Sequence, residues 1–537
     1  MPKPAVLQNP DASASLKRGF DTLAELLALT LGPTQGMIVS EPVTGSRPEL
    51  LSDAATIARR IVALPRRDED VGAMLLRNLV WRMHLRVGDG TATTAVLAQA
   101  ILDQAHRYRA AGANPMALRR GIDQAALAAL DALTQMARAV EDEEDLIAVA
   151  QTITADPDLS LILGEMFDIL GPDAYITIED YVAPYLEREY QEGGRWAGRL
   201  ASPYFITDPA TRRAVLPACH IVLCEDTISE LEDLQPLLEI IARIEPCHVA
   251  IIAHEVRGMA LSTLVVNHQR NNIRALAVSL RRPETQRKAD FDDLAVLTGA
   301  QILSPARGRS LRNIMAADLG TARRVEASAD ELIVVGDQRH AAAVRQQIAT
   351  LRAQLEAQSE DEEEEVWDEL RFRLARLAGH IATLKIGAST KAEREVMRQK
   401  AEKALRALPL ALREGVVPGG GVAYLNCIPT VRQVEAEGDE AWGVAILARA
   451  LEEPFRRIVH NAGIDAPGAV LAQARRYGDA FGYDALKGEI VQMEQAGILD
   501  AAGVLRRALQ VAVSGAVMAL TTEAIVLKRR PETSLEP

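Results

Sequence analysis

Apolar residues near the start of the chain recur at helical spacing. Leu16, Phe20, Leu23 and Leu27 follow one another at intervals of four, three and four, which predicts an amphipathic helix. The run Thr30-Leu31-Gly32-Pro33 should end it, because glycine followed by proline suits a helix C-terminus. Residues 90–135 again read as helix, broken at Gly112-Ala113-Asn114-Pro115. The pattern then changes. Between about 174 and 340, short β-branched runs appear at 175–178, 220–223, 249–252 and 332–335. Helical stretches such as 231–244 and 259–271 separate them, and this alternation predicts an α/β domain. Ile348, Leu351 and Leu355, and then Val366, Leu370, Leu374 and Leu377, flank the acidic run 360–365. They predict a helical hairpin with a solvated acidic tip. Beyond about 395 the chain reads as mostly helical. The apolar segment Ala508–Leu520 is interrupted by Gln510, Ser514 and Gly515, is too short to span a bilayer, and reads as a buried helix. The order helical, mixed, α/β, mixed, helical fits a helical base with an α/β domain inserted into it.

Composition narrows the function. At roughly 150 residues per domain, 537 residues hold about three or four domains. The net charge of −14 argues against a general surface for nucleic acid or anionic membrane, and the scarcity of aromatics argues against base-stacking platforms. Four cysteines rule out a disulfide scaffold. Cys219 and Cys224 lie five apart in a β-like run, so they should point to opposite faces and act as buried thiols, not as a metal pair. The N-terminal residues contain no apolar stretch of secretory type, and a cytoplasmic location is expected.

Neither a Gly-x4-Gly-Lys-Ser/Thr loop nor His-Glu-x-x-His nor Gly-x-Ser-x-Gly occurs. The sharpest chemical feature is Val87-Gly88-Asp89-Gly90-Thr91-Ala92-Thr93-Thr94, leading into a helix. Two glycines let the backbone approach a ligand, the helix N-terminus favours phosphate, and Asp89 could hold Mg²⁺ against it. A plain turn with threonine N-caps explains the same composition equally well. Pro418-Gly419-Gly420-Gly421 is a second glycine turn before a helix, and Asp53 reads first as an N-cap and second as a metal-site carboxylate.

These segments together resemble the group I chaperonins, the 60 kDa chaperonin (bacterial GroEL) family, of which the chain looks like a divergent member. The resemblance runs over nearly the whole length. It rests on Thr30–Pro33, Gly88–Thr91, Val96–Ile101, Asn114-Pro115-Met116 with Arg120–Asp123, Ser202–Phe205, Thr263–Asn267, Gly415–Val417 with Gly419–Ala423, and Gly497–Asp500. It implies an α+β multidomain fold. A helical equatorial domain would come from 1–135 and 413–537, a small intermediate domain from 136–191 and 380–412, and an inserted α/β apical domain from 192–379. It also implies a homo-oligomeric, heptameric ring that encloses non-native polypeptides, with ATP and Mg²⁺ as cofactors and a co-chaperonin lid as a candidate further partner. Thr30, Leu31, Gly32, Pro33, Ser52, Gly90, Thr91, Ala92, Thr93, Gly420, Asp484, Ala485, Leu486 and Asp500 would line the nucleotide site. Asp89 would coordinate the metal, and Asp53 would support the γ-phosphate and attacking water. Tyr204, Phe205, Leu238, Leu261, Val265 and Val266 match the apolar client-binding surface, and Gly193 matches a hinge.

The chain departs from that pattern where hydrolysis should occur. The family's Glu-Asp-Ala-Leu stretch is Glu402-Lys403-Ala404-Leu405, so Lys403 replaces the catalytic carboxylate. An ammonium cannot accept a proton from water at neutral pH. Glu402 lies about 100° round the helix and should not substitute without rotation. Ala54 and Ala92 depart from the pattern in the same site, and the family's Gly-Gly-Met tail is missing. Three readings follow: a chaperonin with slow ATP turnover; a non-hydrolysing paralogue that acts as a holding or assembly scaffold or as a subunit of mixed rings; and, least supported, a small-molecule enzyme on the same cradle.

Overall fold

The computed structural model describes residues 5–34, 36–40, 49–51, 53–61, 63–209, 211–280, 282–357 and 364–527. Ser52, expected at the nucleotide site, most of the acidic tip and the last ten residues lie outside them. The chain divides into two compact units. One comprises 1–172, 180–186 and 386–537, and the other comprises 173–179 and 187–385.

The first unit opens with β1 (Ala5–Gln8), α1 (Asp11–Ala28), β2 (Ile38–Ser40), β3 (Glu49–Leu51), α2 (Ala54–Arg60) and α3 (Arg67–Val87). It continues with α4 (Thr91–Ala110), α5 (Pro115–Met136), α6 (Glu143–Thr154) and α7 (Pro157–Leu170). Helix α1 buries Leu16, Phe20, Leu23 and Leu27, the stripe expected from their spacing. The side chains of Asp53, Asn114, Asp142 and Asp156 accept backbone N–H groups at the starts of α2, α5, α6 and α7.

The second unit contains β4 (Tyr175–Asp180), β5 (Leu186–Gln191), β6 (Gly194–Leu200), β7 (Ala214–Ile228), α8 (Leu231–Ile241), β8 (His248–Val256), α9 (Gly258–Gln269) and β9 (Arg274–Leu280). After these come α10 (Glu284–Thr298), β10 (Ile302–Leu303), β11 (Gly320–Ala327), β12 (Glu331–Gly336), α11 (Ala341–Ala357), α12 (Glu364–Ala378) and β13 (Ile381–Ile386). The predicted alternation of strand and helix is present, but the sheet is mixed. Strands β7, β8 and β9 run parallel, whereas β11, β12 and β6 pair antiparallel. The order β7-β11-β12-β6-β9-β8 returns to β7, so the sheet closes on itself, with β10 added beside β7. A separate three-stranded sheet has the order β4-β13-β5. Helices α11 and α12 form the expected pair flanking the acidic run.

A buried charge network underlies this second core. The Arg376 side chain is inaccessible to solvent, pairs with Asp290 at 2.7 Å and with Asp293, and lies over the Trp196 ring at 4.8 Å. Arg373 grips Asp293 through two bonds, of 2.9 and 2.8 Å, and Arg282 grips Glu369 through two, of 3.0 and 2.5 Å. Burial pushes the Asp290 carboxyl above its usual range despite Arg376 and Arg282. Cys219 and Cys224 are buried in β7, and burial alone raises Cys219 to about 12.

The first unit resumes with α13 (Lys391–Glu414), β14 (Val416–Pro418), α14 (Val422–Arg432), α15 (Asp439–Ala450), α16 (Glu453–Asn461) and α17 (Pro467–Tyr477). It ends with β15 (Phe481–Asp484), β16 (Glu489–Gln492), β17 (Leu499–Ala501), α18 (Ala502–Thr521) and β18 (Ala524–Leu527), which pairs with β1. The apolar segment expected to be too short for a membrane belongs to a helix of 20 residues, long and apolar enough to cross one. Two-thirds of its apolar window is buried inside the molecule, where it packs on α3, α4 and α5.

Candidate functional site

In the first unit, four turns and one helix assemble the residues that the sequence singles out. Helix α3 ends at Gly88 and α4 begins after Gly90, and both glycines have positive φ, +79° and +75°. A Cβ on Gly90 would lie 3.0 Å from both Met83 Cε and Val504 Cγ1, so the turn is pressed onto α18. The threonines do not cap α4. Gly90 is the N-cap, and Thr94 Oγ1 donates back to Gly90 O at 2.8 Å. No threonine caps the helix, and the N–H groups of Thr91, Ala92 and Thr93 open it without a side-chain cap.

At the end of α1, Thr30 is buried and its hydroxyl donates to Leu27 O at 2.7 Å. Asn461 Nδ2 ties this turn to α16 by donating to Ala28 O and Leu31 O, both at 2.8 Å. Gly32 takes φ +95° against Ile458 of the same helix, and Pro33 is exposed. The third turn, at Gly420 and Gly421, abuts that helix too, since a Cβ on Gly421 would lie 2.8 Å from Phe455 N. Gly420 faces Met493, against which the β15–β16 hairpin also packs through Gly482. In the fourth turn Asp484 is buried, and its carboxylate accepts N–H groups from Leu486 (3.0 Å) and Lys487 (3.1 Å). That carboxylate is spent on its own turn, Leu486 is exposed, and Ala485 packs on the core.

Strand β17 sets Asp500 opposite Val417. Burial, and then the charge of Asp89, push Asp500 up to about 7. Asp89 is itself raised by burial, against the opposing pull of Lys403 and the Gly90 N–H. Two buried carboxylates, one raised by the charge of the other, suit a hard cation. Among the described residues no group of three or more His, Cys, Asp or Glu is placed to hold a metal, so a Mg²⁺ held by Asp89 would take its remaining ligands from phosphate and water.

Asp53 is the N-cap of α2, as expected. Its Oδ2 accepts both the N–H and the hydroxyl of Thr56 at 2.8 Å. Its Oδ1 meets Lys403 Nζ at 2.6 Å, an ion pair with side chains 5% and 18% exposed. Burial opposes ionisation of Asp53, but the ammonium and Thr56 outweigh it and hold the carboxyl at about 2. The stability from this pair is present above the ordinary value of 3.8 and is lost as pH falls through about 2. A cavity of about 450 Å³ lies beside the pair, lined by Thr56, Arg59, Arg60, Trp81, His84, Glu395, Gln399 and Glu402. Glu402 borders the same space as Lys403, one step round the helix from it.

Sequence reasoning missed Arg406, one helical turn beyond Lys403 and on the same face, whose guanidinium donates to Leu85 O at 2.6 Å. The i, i+3 spacing of the two cations was the available signal. In the second unit Tyr204 and Val266 are exposed, and Leu238, Leu261 and Val265 are half-buried on α8 and α9. Met259 and Leu231 extend that apolar face. Phe205 does not belong to it. It is fully buried, edge-on to His268 at 5.5 Å, and is a core residue.

The model of the TCP-1/cpn60 chaperonin family matches residues 23–161 and 226–530. Among solved structures, the chain is similar to the chaperonin gp146 from the bacteriophage EL 2 (Pseudomonas aeruginosa), crystallised in the presence of ATP-BeFx. For crystal form I the identity is 19% and the TM-score 0.68, covering 98% of this chain and 99% of that one. For crystal form II the identity is 18% and the TM-score 0.64, with the same coverage. At this identity the likeness establishes a shared fold.

Proposed function

Because this chain belongs to the TCP-1/cpn60 chaperonin family, we propose that it is a group I-type, ring-forming chaperonin that binds ATP and captures non-native polypeptides, with slow turnover. The observation that carries the reading is Asp89, held between two left-handed glycines at an uncapped helix N-terminus and beside Asp500. Asp89 would hold Mg²⁺, and the N–H groups of Thr91, Ala92 and Thr93 would receive phosphate oxygens. The Thr30–Pro33 turn and Gly420 with Asp500 would frame the nucleoside side, and the Asp484–Leu486 turn would cover the base. Bound Mg²⁺ would supply charge neutralisation for the phosphates. Support also comes from the full-length likeness to a chaperonin crystallised with an ATP analogue. Titration calorimetry with ATP and Mg²⁺ should show binding that Asp89→Ala weakens by at least tenfold, about 1.4 kcal/mol. No heat at millimolar ATP would refute the site.

The apolar face on α8 and α9 suits exposed segments of unfolded chains. Val265→Ser should reduce capture of a denatured test protein severalfold without lowering the melting temperature by more than a few degrees, since Val265 is only half-buried. Unchanged capture would remove this face from the proposal. The second reading, a non-hydrolysing holding scaffold or a subunit of mixed rings, is favoured by one specific observation. Lys403 neutralises Asp53, leaving the expected supporting carboxylate engaged.

A further inference from the structure

Helix α13 sits on the turn between α3 and α4 unusually closely. A Cβ on Gly88 would lie 2.8 Å from both Lys403 O and Arg406 Cβ, so only glycine fits there without a shift. Arg406 caps the end of α3 through Leu85 O at 2.6 Å. Lys403 reaches past the turn to Asp53, whose other oxygen is fixed by Thr56. At the far end of α13, Glu414 is held by Arg506 and Arg507 of α18, at 2.7 and 2.6 Å. The helix is thus held at its middle and at its C-terminal end by the protein's own charges.

We propose that Lys403 is an exchangeable latch. It seats α13 on the Gly88 turn by pairing with Asp53, and it trades Asp53 for a phosphate oxygen when nucleotide arrives. The neighbouring residue, Asp89, is the proposed metal carboxylate, which puts incoming phosphates within reach of the same ammonium. A lysine has three donors on a flexible stem, and a phosphate, with more charge and more acceptor oxygens than a carboxylate, can displace one. Nucleotide binding in this chain would therefore break an ion pair, and Asp53 would be released by the ligand that needs it. The latch is independent of the nucleotide reading, whereas the exchange rests on it.

The test is hydrogen exchange over 391–414 without nucleotide, in wild type, Lys403→Met, Asp53→Asn, the double variant and Lys403→Arg. Each of Lys403→Met and Asp53→Asn should speed exchange by roughly tenfold or more, because either leaves a buried charge unpaired or removes the tether. The double variant should exchange no faster than the quicker single, because both remove one interaction. Lys403→Arg should keep most of the protection. Unchanged exchange in Lys403→Met, additive effects, or Lys403→Arg behaving like Lys403→Met would each overturn the latch. Calorimetry with ATP and Mg²⁺ tests the exchange: Asp53→Asn should bind several times more tightly than wild type because the competing carboxylate is gone. Equal affinity would overturn the exchange and leave the nucleotide site standing. No binding in any of the five proteins would overturn the nucleotide site and the exchange together, with the latch still judged by hydrogen exchange.

Discussion

Lys403→Asp should raise the rate of phosphate release by roughly 10²-fold, within the 10²–10⁴-fold that a positioned general base contributes. The same substitution should loosen ATP, because it exchanges a cation beside the phosphates for an anion. Rescue should be partial, since Ala54 and Ala92 also differ from the family pattern and Asp53 would lose the partner that now holds it ionised. Lys403→Met separates two causes. If turnover is slow because a carboxylate is missing, the methionine variant stays slow. If it is slow because the ammonium occupies Asp53, the methionine variant speeds up too. A single series of phosphate-release curves at saturating ATP decides this. Ordinary chaperonin turnover in the wild type, unchanged in Lys403→Asp, would show that Glu402 or Asp53 already does the work.

Arg376→Ala should destabilise the second unit by about 3–5 kcal/mol, the usual cost of removing one partner from a buried ion pair. The arginine touches solvent nowhere, joins Asp290 and Asp293, and stacks between the rings of Trp196 and Phe372. Its removal leaves Asp290 with Arg282 alone, at 3.3 Å. Because the chain has two units, a single unfolding midpoint would blur the effect. Hydrogen exchange in β6, β11 and β12, against α4 and α18 as the reference, isolates it. A loss below 1 kcal/mol would mean that Arg282 and Arg373 suffice to neutralise the two carboxylates.

The features that rest on neighbours along the chain were legible without a structure. Four residues at helical spacing fix the face of α1 because each burial depends on the 3.6-residue turn. Asp53 caps α2 because a carboxylate three residues before a free N–H can reach it wherever the helix goes. Gly88 and Gly90 take left-handed conformations that larger residues adopt only with strain. The family resemblance, carried by such segments, extended this to the fold class.

Tertiary structure alone decided what depends on partners distant in sequence. Strand alternation does not show that β8 pairs back to β7 and closes the sheet, since pairing is set by which edges meet. Phe205 and Tyr204 are neighbours with similar side chains, yet packing on His268 buries one and leaves the other in water. In the sequence, Lys403 signals only the loss of a carboxylate. That it meets Asp53, from the other end of the chain, is decided only by the folded structure, because an ion pair depends on distance in space.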